Sequence, residues 1–288
     1  MKKISLFLIF SFVLIATFAK SLLWQVSSPR NKIYILGSIH LGEENLYPLK
    51  KEIEKAYKEA EKIVVEADIT KINSLRMNEI LKKYAFCPQD KSLRDLISPL
   101  TYKKLKKKLK EFNIEFEEVE NYRPWFLATL LTDWQFMRLG YNPQYGIDIY
   151  FINKALKDNK EILEIESVEE QMEMLYSLPE KEQDLFLLYT LVDLDNFKDE
   201  IKQIIEAWKK ADTDKLASVL NLTLFRYPQF KSLYEKLIYE RNEKILNKIE
   251  ELLKGSKIYF VIVGAGHLVG RGGIIKKLKE RGYKINQL

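Results

Sequence analysis

The sequence predicts an α/β (α+β) fold with one central sheet, built from the N- and C-terminal segments, and a large, mostly helical insertion that covers it. Three observations predict this fold. Strand-like segments occur near both ends of the chain, residues 70–255 between them have mostly helical periodicity, and no internal repeat or low-complexity linker interrupts them. Strands that are distant in sequence must therefore pair. The chain has 288 residues, 47% of them hydrophobic, and we expect a single domain over residues 20–288.

Residues 1–19 have the layout of a signal peptide. Lys2 and Lys3 precede the apolar run Ile4–Phe18, and Thr17-Phe18-Ala19 is a small-x-small cleavage pattern. The run is shorter than the roughly 20 residues that a membrane span needs, and no cysteine follows it to carry a lipid anchor. We therefore expect an exported protein (periplasmic, cell-surface or secreted). Membrane contact is expected only if the leader stays uncleaved as an N-terminal anchor.

Before residue 70 the expected order is strand, strand, helix and strand. The turn residues 27–31, Ser-Ser-Pro-Arg-Asn, separate the first two strands and predict a hairpin. Pro48 begins the helix, in which apolar residues recur at helical spacing, and the third strand ends at Glu66. The predicted bounds are Leu23–Val26, Ile33–Leu36, Pro48–Lys62 and Ile63–Val65.

The middle of the chain is predicted to be helical with one short strand, Glu161–Ile165. The end returns to the α/β pattern, because the apolar strand Lys257–Val263 is followed by the helix Ile274–Arg281 and the strand Tyr283–Ile285. The predicted helices of the middle are Leu75–Tyr84, Thr101–Glu111, Pro124–Leu139, Ile147–Lys157, Val168–Ser177, Lys181–Lys209 and Leu233–Lys254.

The charge pattern argues against nucleic acid as a partner. The net charge is +6, and most basic residues are interleaved with acidic ones. The densest basic run, Lys103–Lys110, would suit nucleic acid or anionic lipid, but it lacks interleaved aromatic residues and any recognised nucleic-acid motif. A solvated helix face is the favoured interpretation. Cys87 is the only cysteine, so neither an intramolecular disulfide nor a cysteine-based zinc site can form.

The only two histidines, His40 and His267, stand in matching contexts. Each follows an apolar strand in the pattern G-x-x-H-L, which begins at Gly37 and at Gly264. Glycine at the start of such a loop allows close backbone approach or a positive φ. Ligands of open α/β sheets bind in the crevice at the carboxyl ends of the strands. The two loops therefore favour one shared functional site over two separate strand or helix caps.

Two imidazoles together can bind a metal ion, since histidine is the commonest metal ligand. A catalytic metal also needs a third protein ligand and an open position for water. Glu66 is the natural candidate because it directly follows an apolar strand, where an acid rarely stands without a partner. The sequence leaves open whether Glu66 is this ligand or a general base. Asp68 lies on the same side of the extended chain, but a helix cap or a surface position is an equal interpretation for it.

Seven patches follow one another in a recognisable order. They are Gly37–Gly42 (GSIHLG) with Tyr47–Leu49, Val65–Asp68, Arg123–Trp125, Gly146–Asp148, Ile165–Gln171, Glu240–Asn242 and Gly264–Gly270 (GAGHLVG). Together they resemble the TraB/GumN family, which is related to the Tiki proteases, and the resemblance extends over nearly all of the mature chain. One G-x-x-H loop alone would be a weak signal, whereas seven ordered patches are a strong one.

This resemblance implies an activity and a set of active-site residues. Tiki-type members are metal-dependent proteases that favour manganese or cobalt, with zinc as a further option, and they act on peptide or protein substrates. The metal and catalytic motifs would correspond here to His40, His267 and Glu66. The superfamily also includes esterase-like and haem-handling relatives, so the fold alone does not fix the reaction.

Three further polar positions follow from the resemblance. Arg241 would stabilise an oxyanion as an always-charged donor, and an ordinary helix-surface arginine is the alternative. Asp148 and Glu166 would orient the histidines by accepting from their second ring nitrogens, and a helix N-cap or a salt bridge is the alternative for each. The chain departs from the family pattern at Ala211-Asp212, where many members have Gly-Asp.

The sequence thus favours a metal-dependent hydrolase, and within that class a peptidase. The first alternative is a non-catalytic protein of the same fold that sequesters a peptide, as TraB-type proteins restrain signalling peptides in some settings. The second is dinucleotide or phosphate binding by Gly264–Gly270. That loop lacks the spacing G-x-G-x-x-G, and no acidic residue follows about 20 positions later to hold a ribose.

We predict that the leader is cleaved near Ala19. The charged start, the apolar run and the small-x-small pattern are the features of a cleavable signal peptide. N-terminal sequencing of the exported protein is the measurement. A protein that still begins at Met1 and sediments with the membrane fraction would indicate an N-terminal anchor instead.

Overall fold

The computed structural model describes residues 20–226 and 228–288, so the predicted leader lies outside the described residues. The described strands are β1 Leu23–Ser27, β2 Lys32–Ser38, β3 Lys62–Val65, β4 Glu161–Glu164, β5 Tyr259–Gly264 and β6 Lys284–Gln287. They form one six-stranded sheet in the order β4-β3-β5-β2-β1-β6. The first four strands in this order are parallel, while β1 is antiparallel to β2 and to β6.

The predicted mixed fold with a sheet made from both ends of the chain is confirmed. Five strands come from the terminal segments, and β4 alone comes from the middle of the described chain. Among the described residues, no helix is long and apolar enough to cross a membrane. The helices are α1 Lys51–Glu59, α2 Ser74–Tyr84, α3 Leu93–Leu96, α4 Pro99–Phe112, α5 Pro124–Arg138, α6 Ile147–Lys157, α7 Val168–Tyr176, α8 Glu180–Asp193, α9 Phe197–Lys210, α10 Thr213–Arg226, α11 Lys231–Tyr234, α12 Arg241–Lys254, α13 Ala265–Leu268 and α14 Ile274–Glu280.

Strand β5 is the centre of the core. It lies between β3 and β2, so both of its edges are hydrogen-bonded, and its residues from Phe260 to Val263 are completely buried. A continuous apolar run suits a parallel strand that is covered on both faces. The ring of Phe260 packs against Tyr57 of α1 and Phe151 of α6. This packing fixes the strand whose carboxyl end carries the second histidine loop.

Local signals in the sequence explain the bounds of α4. The helix begins at Pro99, where the missing N–H of proline costs no hydrogen bond, and Ser98 caps it by accepting from the backbone N–H of Thr101. It ends at Asn113, which adopts a left-handed conformation with φ 58°. Most lysines of the run 103–110 are exposed on this helix, as a solvated face requires.

Two predicted helices are each divided in the structure. The predicted helix Lys181–Lys209 is two helices, α8 and α9, because the chain turns at residues 193–196, Asp-Leu-Asp-Asn. Asp and Asn side chains compete with helical hydrogen bonds and favour such turns. The predicted helix Leu233–Lys254 is likewise divided, since a π-helical turn at Glu235–Glu240 separates α11 from α12.

Helix α10 was absent from the sequence prediction. Asp212 accepts from the backbone N–H of Lys215 at 2.9 Å and so caps its first turn. Ala211, which precedes this cap, has φ 55°, a conformation that glycine adopts without the steric cost of a Cβ. The Ala-Asp departure from the family pattern therefore stands at a reversal of the chain between α9 and α10.

Helix α1 is shorter than predicted. It begins at Lys51 rather than at Pro48, because Lys50 still has an extended conformation with ψ 144°. It ends at Glu59, since Ala60 is extended and the backbone N–H of Glu61 donates to the carbonyl of Ile258 beside β5. The chain therefore leaves the helix and joins the sheet about one turn before the predicted helix end.

We predict that Ile262→Ala lowers the free energy of unfolding by about 2–5 kcal/mol, the usual cost of removing a fully buried aliphatic side chain. Ile262 is 0% exposed in the central strand. Ile69→Ala is the matched control, because Ile69 is 49% exposed and should change stability by less than about 0.5 kcal/mol. Urea unfolding of both variants is the measurement, and equal losses would contradict the central role of β5.

Candidate functional site

Both histidine loops start at the same edge of the sheet. Strands β2 and β5 are parallel neighbours, and Ser38 lies opposite Gly264 in their register. The loops therefore leave the sheet side by side, as their matching sequences predict. His40 and His267 line one cavity of about 590 Å³, and Glu66 and Arg241 line the same cavity.

Glu66 reaches this edge from the other side of β5. Strand β3 pairs with β5, and Val65 lies opposite Ile262, so the next residue of the chain faces the loop at Gly264. The carboxylate of Glu66 accepts from the backbone N–H of Gly264 at 2.5 Å and from Nη2 of Arg241 at 2.5 Å. Glu66 is 7% exposed, and these two donors satisfy it inside the protein.

The first glycine of each histidine loop, Gly37 and Gly264, lies so close to neighbouring atoms that a Cβ would be crowded. A Cβ on Gly264 would lie 3.2 Å from Oε1 of Glu66 and 3.6 Å from both the His267 ring and Nε2 of His40. Gly264 is therefore the point at which the three side chains converge. A Cβ on Gly37 would lie 3.3 Å from the backbone of Ala265. Neither glycine has a positive φ, so close packing is the reason for both.

His40 is held by Asp148. Its Nδ1 lies 2.9 Å from Oδ2 of Asp148, and the other carboxylate oxygen accepts from the hydroxyl of Ser38 at 2.8 Å. The His40 side chain is 62% exposed, because it stands on the floor of the open cavity. The negative charge of Asp148 and its hydrogen bond to the ring raise the pKa of His40 to about 9. His40 is therefore mainly protonated at neutral pH.

Backbone contacts bring Asp148 to His40. Asp148 is the second residue of α6, and the first residue, Ile147, donates its N–H to the carbonyl of Ile39 at 3.0 Å. Gly146 has no space for a side chain, since a Cβ there would lie 2.2 Å from the carbonyl oxygen of His40. The start of α6 is thus fastened to the first histidine loop by main-chain atoms.

His267 has a different environment. It is 5% exposed, and its Nδ1 lies 2.6 Å from Oδ1 of Asn242, whose amide nitrogen donates to the carbonyl of Gly272. Nη1 of Arg241 lies 3.3 Å from Nε2 of His267. Because an arginine only donates, this contact assigns the ring proton to Nδ1 and leaves Nε2 as an acceptor. Burial lowers the pKa of His267, so the ring is neutral near pH 7.

Arg241 joins two carboxylates that follow neighbouring strands. It contacts Glu66 at 2.5 Å and Glu166 at 2.9 Å, and its Nε also donates to Glu166 at 3.0 Å. The role implied for Glu166 requires a correction, because its carboxylate accepts from Arg241 and not from a histidine ring. Asn242 makes the contact with His267 that the resemblance implied for an acid. Arg241 is thus no ordinary surface residue, since its side chain is 17% exposed.

The balance of charge keeps Glu66 ionised. Burial alone would raise the pKa of Glu66, but the surrounding His267, His40 and Arg241 and the backbone N–H of Gly264 lower it. Since His267 is neutral, the charges that stabilise the carboxylate at pH 7 are those of Arg241 and His40. The cavity floor therefore contains an anion between two cations and beside one neutral imidazole.

The donor types at this floor suit a divalent cation only in part. The Nδ1 atoms of both histidines are held by Asp148 and Asn242, which is how proteins orient imidazole ligands, and both Nε2 atoms face the same region. However, Arg241 already contacts Oε2 of Glu66 and Nε2 of His267, and the backbone N–H of Gly264 donates to Oε1 of Glu66. Within the described residues no group of three His, Cys, Asp or Glu side chains is arranged to hold a metal ion. A three-ligand site would require the guanidinium to move.

Sequence reasoning assigned no role to Asn242, which contacts His267, or to Ser38, which donates to the Asp148 carboxylate that holds His40. Both stand inside the patches that carry the resemblance, Asn242 next to Arg241 and Ser38 next to Gly37. Their location inside these patches is the signal by which the sequence could have identified them as site residues. Asp68, the undecided acid, is buried and accepts from the N–H and hydroxyl of Thr70, which is the helix-cap interpretation.

We predict that Arg241→Ala lowers the free energy of unfolding by about 3–5 kcal/mol, because removing one partner leaves two buried carboxylates without their cation. Arg281→Ala is the matched control. Arg281 pairs with Glu243 and Glu250 but is 39% exposed, and exposed pairs contribute about 1 kcal/mol or less. Urea unfolding at pH 7 measures both, and a loss at Arg241 no larger than at Arg281 would contradict a structural bridge.

The chain is similar to several known proteins. The uncharacterized protein YbaP of Escherichia coli (strain K12) is 28% identical over 256 residues, which cover 88% of this chain and 90% of YbaP. Metalloprotease TIKI2 of Xenopus tropicalis is 23% identical over 317 residues, which cover 92% of this chain but 59% of the relative. No solved structure matches the chain. The model of the TraB/PrgY/gumN family matches residues 22–287, and the chain therefore belongs to that family.

Proposed function

We propose that this protein is a hydrolase that cleaves peptide or protein substrates with the help of a divalent metal ion. The observation that carries the proposal is the meeting of His40, His267, Glu66 and Arg241 at the floor of one cavity. Hydrolysis of a carbonyl compound uses groups of this kind, namely a buried carboxylate, a guanidinium and two oriented imidazoles. Relatives named metalloproteases, at 21–23% identity, support this class.

The metal ion would be held by Nε2 of His40 and of His267, with Glu66 as third ligand once Arg241 turns away. Manganese or cobalt is proposed before zinc. Such an ion polarises the scissile carbonyl and lowers the pKa of bound water towards about 7. Because His40 is protonated on both ring nitrogens at neutral pH, it would have to lose the proton on Nε2 to serve as a ligand.

The residues of the chain have separate roles in this proposal. Asp148 and Asn242 keep the two rings turned so that each Nε2 faces the cavity. Because the pKa of Glu66 is lowered, Glu66 is a weak proton acceptor, which favours a role as anionic ligand over that of general base. Arg241, once it has turned away from Glu66, would donate to the oxygen that becomes negative in the transition state, since a cation already in place stabilises charge as it develops.

Sequestration of a peptide without cleavage is the alternative function. Above its polar floor the cavity wall is mainly apolar, with residues such as Ile201, Ile204 and Leu220, so it suits the binding of a peptide in either case. We also propose that the protein is exported, on the leader pattern of residues 1–19.

Product analysis by mass spectrometry separates the two functions. The purified chain is incubated with a mixture of synthetic peptides and manganese, and His40→Ala is the matched control. New fragments in the wild type alone support the hydrolase. Peptides that bind to the wild type and return intact would favour sequestration.

We predict that His40→Ala and His267→Ala each abolish hydrolysis and weaken metal binding, because each removes one imidazole of the same site. The effects should be non-additive, since residues that act as a unit lose most function at the first deletion. Calorimetric titration of manganese, cobalt and zinc into the wild type, both single variants and the double variant is the measurement. Equal affinity in all four proteins would end the metal part of the proposal and leave the histidines for acid–base or structural roles.

A further inference from the structure

One face of α5 forms a wall of the cavity. Thr129, Thr132, Asp133 and Phe136 line it, and their spacing of three and four residues places them along one side of a helix. The hydroxyls of the two threonines donate to backbone carbonyls of their own helix at 2.7 and 2.9 Å. Asp133 is therefore the charged group that this wall presents.

Asp133 differs from the other acids near the cavity floor, because its carboxylate has no ion-pair partner among the described residues. Glu66 is paired with Arg241, and Asp148 is paired with His40. Over residues 20–226 and 228–288, Asp133 makes no hydrogen bond or ion pair, and its side chain is exposed to the cavity. Asp133 and His40 line the same cavity, so a substrate group bound at Asp133 lies in the cavity that contains the first histidine loop.

The rest of the upper cavity is mainly apolar. Helix α8 adds Tyr189, Thr190 and Asp193, and Asp193 is already engaged in another interaction. Helix α9 contributes Phe197, Ile201, Ile204 and Ile205, and α10 contributes Leu216 and Leu220. An aliphatic chain that ends in a positive charge matches such a surface, because its methylene groups pack on apolar side chains while the charged end reaches a carboxylate. A neutral end would leave Asp133 without a partner, and an acidic end would be repelled by its negative charge.

We propose that Asp133 is a specificity-determining residue that binds a cationic amino group of the substrate, either a lysine side chain or a free amino terminus. The inference rests on the proposed function for the location of the scissile bond, but binding alone can test it. It narrows the substrate class from peptides in general to peptides whose positive charge lies within reach of the histidine loops.

The test uses matched peptides that differ in one charge. Acetylated hexapeptides of Leu, Phe and Ala carry a single Lys, and the reference peptides carry norleucine at the same position. A third set has norleucine and a free amino terminus. Dissociation constants are measured by calorimetry and cleavage by mass spectrometry for the wild type, for Asp133→Asn, and for Asp90→Asn, which removes the same charge from an exposed turn outside the cavity.

We expect the wild type to bind a cationic set about three- to tenfold more tightly than acetylated norleucine peptides, as for a partly screened charge pair. The preference should fall to about one in Asp133→Asn, persist in Asp90→Asn, and shrink in the wild type as salt is raised. Whether the Lys set or the free-terminus set is preferred identifies the source of the charge.

Two results would overturn the inference: equal binding of all sets by the wild type, including no binding at all, or a cationic preference that survives in Asp133→Asn. Thermal unfolding of Asp133→Asn checks that the variant is folded. If the wild type binds the cationic peptides preferentially but releases them uncleaved, the proposed hydrolysis fails while the role of Asp133 stands.

Discussion

The carboxylates of Glu66 and Glu166 lie buried beside each other, at the ends of the neighbouring strands β3 and β4, and neither would be stable there alone. A single guanidinium, that of Arg241, contacts both. Burying an acid is costly unless it is paired and hydrogen-bonded, so the bridge constrains where α12 begins relative to the sheet. Because Arg241 is the first residue of α12, the same constraint brings Asn242 to His267. It also places the cavity floor at the carboxyl end of β5.

The two histidine loops are alike in sequence and unlike in chemistry. His40 stands in the open cavity beside a carboxylate, and His267 is buried beside an amide and a guanidinium. The first ring is therefore positively charged at neutral pH and the second is neutral. Neighbouring titratable groups whose environments move their pKa values apart are typical of catalytic sites. Two imidazoles in identical environments would have the same pKa, so that at a given pH both would be charged or both neutral.

Much of the fold followed from local patterns. The hairpin, the buried strand β5 and the helices on either side of β4 are visible as apolar periodicity and turn residues, because each period reflects which face of an element is covered. The prediction failed where short polar residues interrupt an otherwise helical run, at 193–196, and where α10 follows Ala211. In these places the chain direction depends on caps and on a left-handed residue, which periodicity does not register.

The sequence by itself determined the pair of G-x-x-H-L loops, the acid after β3 and the order of patches that marks the family, because these are properties of neighbouring residues. Only the tertiary structure decided the partners. Arg241 meets Glu66 across 175 positions and Asp148 meets His40 across 108, and nothing in the local sequence states which acid takes which cation. That choice depends on the parallel register of the sheet and on the helix starts packed against its carboxyl edge. For this reason the role expected of Glu166 at a histidine was filled by Asn242.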